Sequence, residues 1–266
     1  MNSIKNFTNV EEWKNPKYLD YDNTFNIIEE TLIAFRDYNT NFSINIDEIK
    51  KQEFIFYQLV KEEIALESYR FSLYAADVIV YINMLMEESI KSIDLLEVLQ
   101  SLLSDAKIRL DFVENLNNKY ILNNFKMIKP IHEYTKHGFK DPNMKYNCLA
   151  PFFWFLNFIP SIQWNRSSLN QPLLSDENEN QSNVEVTFQE LMFKYKKGLN
   201  IICEIKQFWE NQIEIINKFI DIFDKGFKGT KEICSSQKDG LDIRNKWEKE
   251  KKCSEIFYHK IRNLLI

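Results

Sequence analysis

Glycine and proline are almost missing from the first half of this sequence. Neither occurs between Pro16 and Pro130. They are the strongest local breakers of regular structure, and strands joined by tight turns depend on them. So long a stretch without either excludes a meandering sheet and leaves helices. The whole chain of 266 residues has five glycines, the first at Gly138. That scarcity also argues against phosphate-binding loops, where backbone amides must approach an anion closely. Gly226-Phe227-Lys228-Gly229-Thr230 is the nearest match. It lacks the G-K-[ST] ending and follows a helical pattern, so Gly226 reads as a helix stop.

Residues that carry chemistry are sparse as well. The three histidines, His132, His137 and His259, have no Glu three positions earlier, as a di-iron helical bundle requires. Cys148, Cys203, Cys234 and Cys253 form no C-x-x-C pair, so four ligands do not cluster for zinc. Cys148 near His137 could be read as a thiolate and base, but two residues in a loop are a poor basis for a nucleophile. There is no G-x-S-x-G elbow. The expectation is a non-enzyme without metal or cofactor. The first residues, MNSIKNFTNV, show no charged n-region before an apolar h-region. The expected location is cytoplasmic, with peripheral membrane contact as an option.

A strongly basic face is also lacking. The net charge is −5, which argues against nucleic acid as a partner. Lys246, Lys249, Lys251 and Lys252 are the densest basic group. Glu248 and Glu250 dilute them, and a solvated helix face accounts for them. Glu62, Glu63, Glu67, Glu87 and Glu88 are likewise expected on a wet helix face.

What is present is a helical pattern of apolar residues in a chain 44% hydrophobic and 27% charged. Phe25, Ile28, Leu32 and Phe35 form one stripe, with Thr24 as the expected N-cap. A second run starts at Asp47 and continues to about Met86, roughly 60 Å at about 1.5 Å per residue. Its part from Phe71 to Met86 has Asp77 as its one charge, and a helix apolar all round is expected to be buried. Asp94 and Glu97 resemble a capping box. Leu95, Leu99, Leu102, Ala106, Leu110 and Val113 then share a face, and Pro130 is expected to end that helix near Met127. Thr187 and Glu190 read as a second capping box. It precedes a stripe through Phe188, Met192, Tyr195, Leu199, Ile202, Ile205, Trp209, Ile213, Ile216, Ile220 and Phe223. Gly226 to Gly240 is the expected connection, and Ile243, Trp247, Phe257, Ile261 and Leu264 mark a final helix.

Between the halves, Lys129 to Asn183 holds five of the six prolines. Its polar tail, Leu173 to Asn183, reads as a flexible loop. Its centre, Cys148 to Trp164, carries no charge. It is short of the roughly 20 residues a spanning helix needs, and Pro151 and Pro160 divide it. Phe152, Phe153, Trp154, Phe155, Leu156, Phe158, Ile159 and Trp164 are the candidate membrane-inserting or partner-binding residues. Trp154 and Trp164 suit a membrane–water interface. Each aromatic would gain at about 25 cal/mol per Å² on leaving water.

The expected fold is therefore all-α: one elongated domain, 1–266, of long antiparallel helices. It divides into a first helical half (17–129), an apolar tongue with a polar loop (130–186), and a second half (187–266). Long helices, a central uncharged tongue and a very long later helix resemble the cytolysin A and haemolysin BL class of helical pore-forming proteins, from about Asp47 to Phe223. That resemblance implies a tongue that unpacks at a membrane and a chain that oligomerises, with Phe152 to Ile159 entering lipid. The prolines and the missing secretion signal depart from that class. Two expectations follow. One is a membrane-active bundle, with lipid as partner. The other is a non-catalytic scaffold or assembly subunit, with a protein partner and self-association through its stripes.

Overall fold

The computed structural model describes residues 13–41, 46–87, 89–122, 177–224 and 236–264. Six α-helices fill these ranges: α1 Tyr21–Asn41, α2 Ile46–Gln58, α3 Ala65–Met86, α4 Ser92–Leu116, α5 Glu177–Asp224 and α6 Gln237–Leu264. Two π-helical turns extend them. Leu59–Ile64 joins α2 to α3 without a break, and Asn117–Leu122 continues α4. No strand occurs among the described residues. The fold is all-α, as the scarcity of breakers requires.

The buried residues form one contiguous core, and their spacing explains how the helices pair. Leu191, Tyr195, Leu199, Ile202, Ile205, Trp209, Gln212, Ile216 and Phe219 of α5 are buried at steps of three and four. Ile243, Trp247, Ser254, Phe257 and Ile261 of α6 keep the same phase, with half-buried Glu250 between Trp247 and Ser254. A 3.5-residue repeat keeps one edge of a helix against its neighbour over many turns. Accordingly α6 packs along α3, α5 along α4, and α1 along α5. The run from Ile46 to Met86 is continuous, as its periodicity predicts.

Helix starts differ from the sequence expectation in four places. Asp20, not Thr24, caps α1: its carboxylate accepts the Asn23 amide at 3.4 Å, and its carbonyl accepts that of Thr24 at 2.7 Å. Thr24 is instead buried in the core. Lys91, extended and without a side-chain hydrogen bond, precedes α4. Asp94 therefore sits in the first turn, where its charge still suits the helix dipole. α5 begins at Glu177, so Thr187 lies inside a helix, and part of the polar tail read as a loop is helical. Likewise Gly240 is buried within α6, not in a connection. Ser236 caps that helix through the Asp239 amide at 3.2 Å. Polar caps and polar helix interiors share a composition, and tertiary packing decided between them.

A strap before α1, helical at Trp13 and Lys14 and irregular from 15 to 20, has no counterpart in the sequence reading. Trp13, Tyr18 and Leu19 are buried. The Trp247 indole donates to the Trp13 carbonyl at 3.0 Å, and the Trp13 ring meets Phe219 edge-on at 5.1 Å. Tyr18 stacks flat on Phe71 at 4.1 Å. These aromatics tie the strap to α3, α5 and α6.

Candidate functional site

The residues singled out in the apolar segment, Phe152, Phe153, Trp154, Phe155, Leu156, Phe158, Ile159 and Trp164, lie outside the described residues, as do Cys148, His132 and His137. Pro130 and Gly226 lie outside them too. Of the other candidates, Cys203 is exposed and Cys253 half-buried, both as free thiols. Lys246 and Lys251 lie within 4.0 Å of Asp242 and Glu255 on their own helix, as a solvated face provides.

One surface was missed by sequence reasoning. Leu66, Tyr69, Leu73 and Val80 are exposed, at 37, 41, 47 and 52%, and half-buried Ala76 completes the row. Their spacing of three and four is that of a helix–helix seam; the Tyr69 ring lies 5.3 Å from that of Tyr258 on α6, and the row is otherwise open to solvent among the described residues. The helix apolar all round is thus only partly buried, which corrects the expectation for Phe71 to Met86. The π turn explains the row. In α2 the seam runs through Ile49, Gln52, Phe56 and Leu59. Continued at the same spacing, it would pass through Leu66, Leu73 and Val80. The wider π turn advances the phase by about one residue. Ile64, Ser68, Phe71, Ala75, Val78 and Ile82 turn inward instead, and the first set turns out. The other π turn lies alongside, with Lys119 Nζ 3.2 Å from the Glu63 carboxylate.

Behind the row lies a buried polar layer. Glu67, expected on a wet face, is fully buried, because the same phase shift carries it inward. Its Oε1 accepts the Trp209 indole N–H at 3.1 Å, and Arg70 lies 3.7 Å from Oε2. Burial pushes its carboxyl up to about 7, against the lowering pull of Arg109, Arg70 and the indole bond. Arg109 stands on α4, 3.2 Å from Asp105. Burial, reinforced by Glu67, holds the Tyr18 phenol well above its ordinary range. Tyr74 donates to Gln212 at 3.4 Å, and Ser254 to the Ser68 carbonyl. Perturbed carboxyls mark functional sites more often than chance. Here the carboxyl is buried against the Trp209 indole, and its geometry suits register-setting within a bundle.

A groove of about 430 Å³ opens between the strap and α6, lined in part by Lys17, Tyr21, Lys249, Glu250, Cys253 and Phe257. Glu250 accepts the Tyr18 amide at 3.5 Å, and burial raises its carboxyl. Among the described residues no group of His, Cys, Asp or Glu is placed to hold a metal, and no helix is long and apolar enough to cross a membrane.

Comparison with known protein families, with characterised proteins and with solved structures gives no match.

Proposed function

We propose that this chain is a non-catalytic helical interaction scaffold that receives another macromolecule on the outward row of α3. One observation carries the reading. Leu66, Tyr69, Leu73 and Val80 stand exposed at helix-seam spacing on a helix whose inner faces are already packed. Single exposed apolar residues are ordinary on protein surfaces, but a contiguous row is the signature of an interaction site.

A second reading, a membrane-active bundle, has its own support. The uncharged stretch from Cys148 to Trp164 is rich in phenylalanine and tryptophan, residues that partition to the bilayer interface and interior. In this reading Phe152 to Ile159 enter lipid.

Liposome co-sedimentation with a dye-leakage readout separates the two. Under the scaffold reading the protein stays in the supernatant with neutral and anionic vesicles, and no dye escapes. Binding with leakage, abolished by Phe153→Asp or Phe155→Asp in a chain that keeps its helical circular dichroism, would replace the scaffold reading with the membrane-active one.

A further inference from the structure

We infer that the α3 row is a self-complementary interface, on which a second copy of this chain docks its own α3 antiparallel about a two-fold axis at Leu73. This rests on the scaffold reading and names the partner. The spacing supplies the first argument. Apolar side chains at steps of three and four track another helix in a supercoil, because 3.5 residues per turn keep them on the shared seam. Leu66 lies seven residues before Leu73, and Val80 seven after it. About a two-fold at Leu73, each Leu66 meets the second copy's Val80, and Leu73 meets itself. In an isologous contact residue i meets j while j meets i, as Leu66 and Val80 would here.

Charge supplies the second argument and selects the direction. Arg70 stands three residues before Leu73, and Asp77 four after it. In an antiparallel pair each Arg70 falls beside the second copy's Asp77. In a parallel pair the two copies' Arg70 and Asp77 lie on opposite flanks of the seam and make no such ion pair. Arg70 is only partly covered: its side chain is 32% exposed, with its guanidinium 4.8 Å from the centre of the Phe112 ring. Asp77 is exposed and feels the negative charge of Asp105, so an arriving guanidinium meets two carboxylates. The π turn at Leu59–Ile64 is the third observation. A π turn in a long helix is uncommon, recurs at functional positions, and here turns this row outward.

Sedimentation equilibrium of the full chain over a concentration series tests the inference. The unmodified protein is expected to be a dimer that dissociates on dilution. Leu73→Glu, which places two carboxylates on the axis, should raise the dissociation constant by at least about tenfold while helical circular dichroism is kept. Orientation is read by cross-linking in a chain whose four cysteines are replaced by serine. Leu73→Cys should oxidise to a linked dimer. Leu66→Cys should link to a chain carrying Val80→Cys but not to itself. If Leu73→Glu does not fold, the cross-links still decide. A wild-type chain that stays monomeric at every concentration overturns the inference. So does a Leu73→Glu chain that dimerises unchanged, or a Leu66→Cys chain that links to itself. A monomer that also leaves vesicles intact removes the self-association and spares the scaffold reading. Vesicle leakage removes the scaffold reading itself.

Discussion

Two levels of this bundle are held together by different means. Where α1, α2 and α5 meet, Phe35, Phe56 and Tyr195 pack with ring centroids 5.3 to 6.2 Å apart. Gly198 admits the Phe56 ring so closely that a Cβ there would lie 2.6 Å from it. Where α3, α4 and α5 meet the strap, Tyr18, Phe71, Tyr74 and Trp209 pack together, and Glu67 is buried against the Trp209 indole with Arg109 nearby. The first level specifies itself by shape, and the second by placing a carboxyl against one indole. The first is insensitive to pH and intolerant of volume. The second responds to pH and depends on a polar partner.

The largest effect that would sharpen this contrast comes from Trp209. Its ring packs on Tyr74 at 5.0 Å and Phe208 at 5.1 Å, and its indole satisfies Glu67. Trp209→Ala should cost about 3–5 kcal/mol by chemical denaturation. Trp209→Phe keeps most of the ring and loses the hydrogen bond, so its cost should be smaller and should grow with pH. Equal costs for the two substitutions would show that the indole bond is idle.

Glu67 gives the next effect. The folded protein keeps its proton to about pH 7, against an ordinary 4.5, so between those values the native state binds more protons than the unfolded chain. Stability must then fall as pH rises through that window, by about 3 kcal/mol in all. Below pH 4.5 both states are protonated and the penalty vanishes. Glu67→Gln should therefore match the wild type near pH 4.5 and exceed it in stability near pH 8. Glu204 and Glu250 are raised with the same sign, so the variant retains part of the slope. A Glu67→Gln difference that is constant from pH 4.5 to pH 8 would remove the buried carboxyl from the account.

These two levels also mark how far the sequence could be read. The all-α class and the unbroken run to Met86 were legible because they rest on missing breakers and on periodicity, which are local. The apolar stripe of α5 was legible too: Tyr195, Ile202, Ile205, Trp209 and Ile216 are all buried. Glu67 was misplaced because a helical wheel continued from α2 knows nothing of the π turn. The advance in phase has no composition signature in Leu59–Ile64, and it exchanges Leu66 for Glu67 at the core. The strap was missed for a different reason. Trp13 lies in a helical turn and Tyr18 and Leu19 lie in the irregular segment after it, which has no period, and only contacts distant in sequence bury them. The candidate residues from Phe152 to Trp164 lie outside the described residues, and of the surface that carries the proposal Leu73 and Val80 fall in the run the sequence had assigned to the core.

Gly198 tests the shape-held level. Glycine within a helix ordinarily costs about 1 kcal/mol relative to alanine, so Gly→Ala there usually stabilises. At Gly198 the sign should reverse. The added methyl would press on the Phe56 ring, itself fully buried and packed against Tyr195 at 5.6 Å. Thr31, whose hydroxyl reaches the Lys194 carbonyl at 2.9 Å, stands on another side at 3.3 Å. Neither neighbour can yield without losing a contact of its own. Overpacking of this kind costs about 1–3 kcal/mol, and the loss should be the same at pH 4.5 and pH 8, unlike that of any Glu67 variant. Pairing Gly198→Ala with Phe56→Leu removes the obstructing ring and should recover part of the loss. A stabilised Gly198→Ala single variant would mean that Phe56 has room to move, and that shape does not hold the level where α1, α2 and α5 meet.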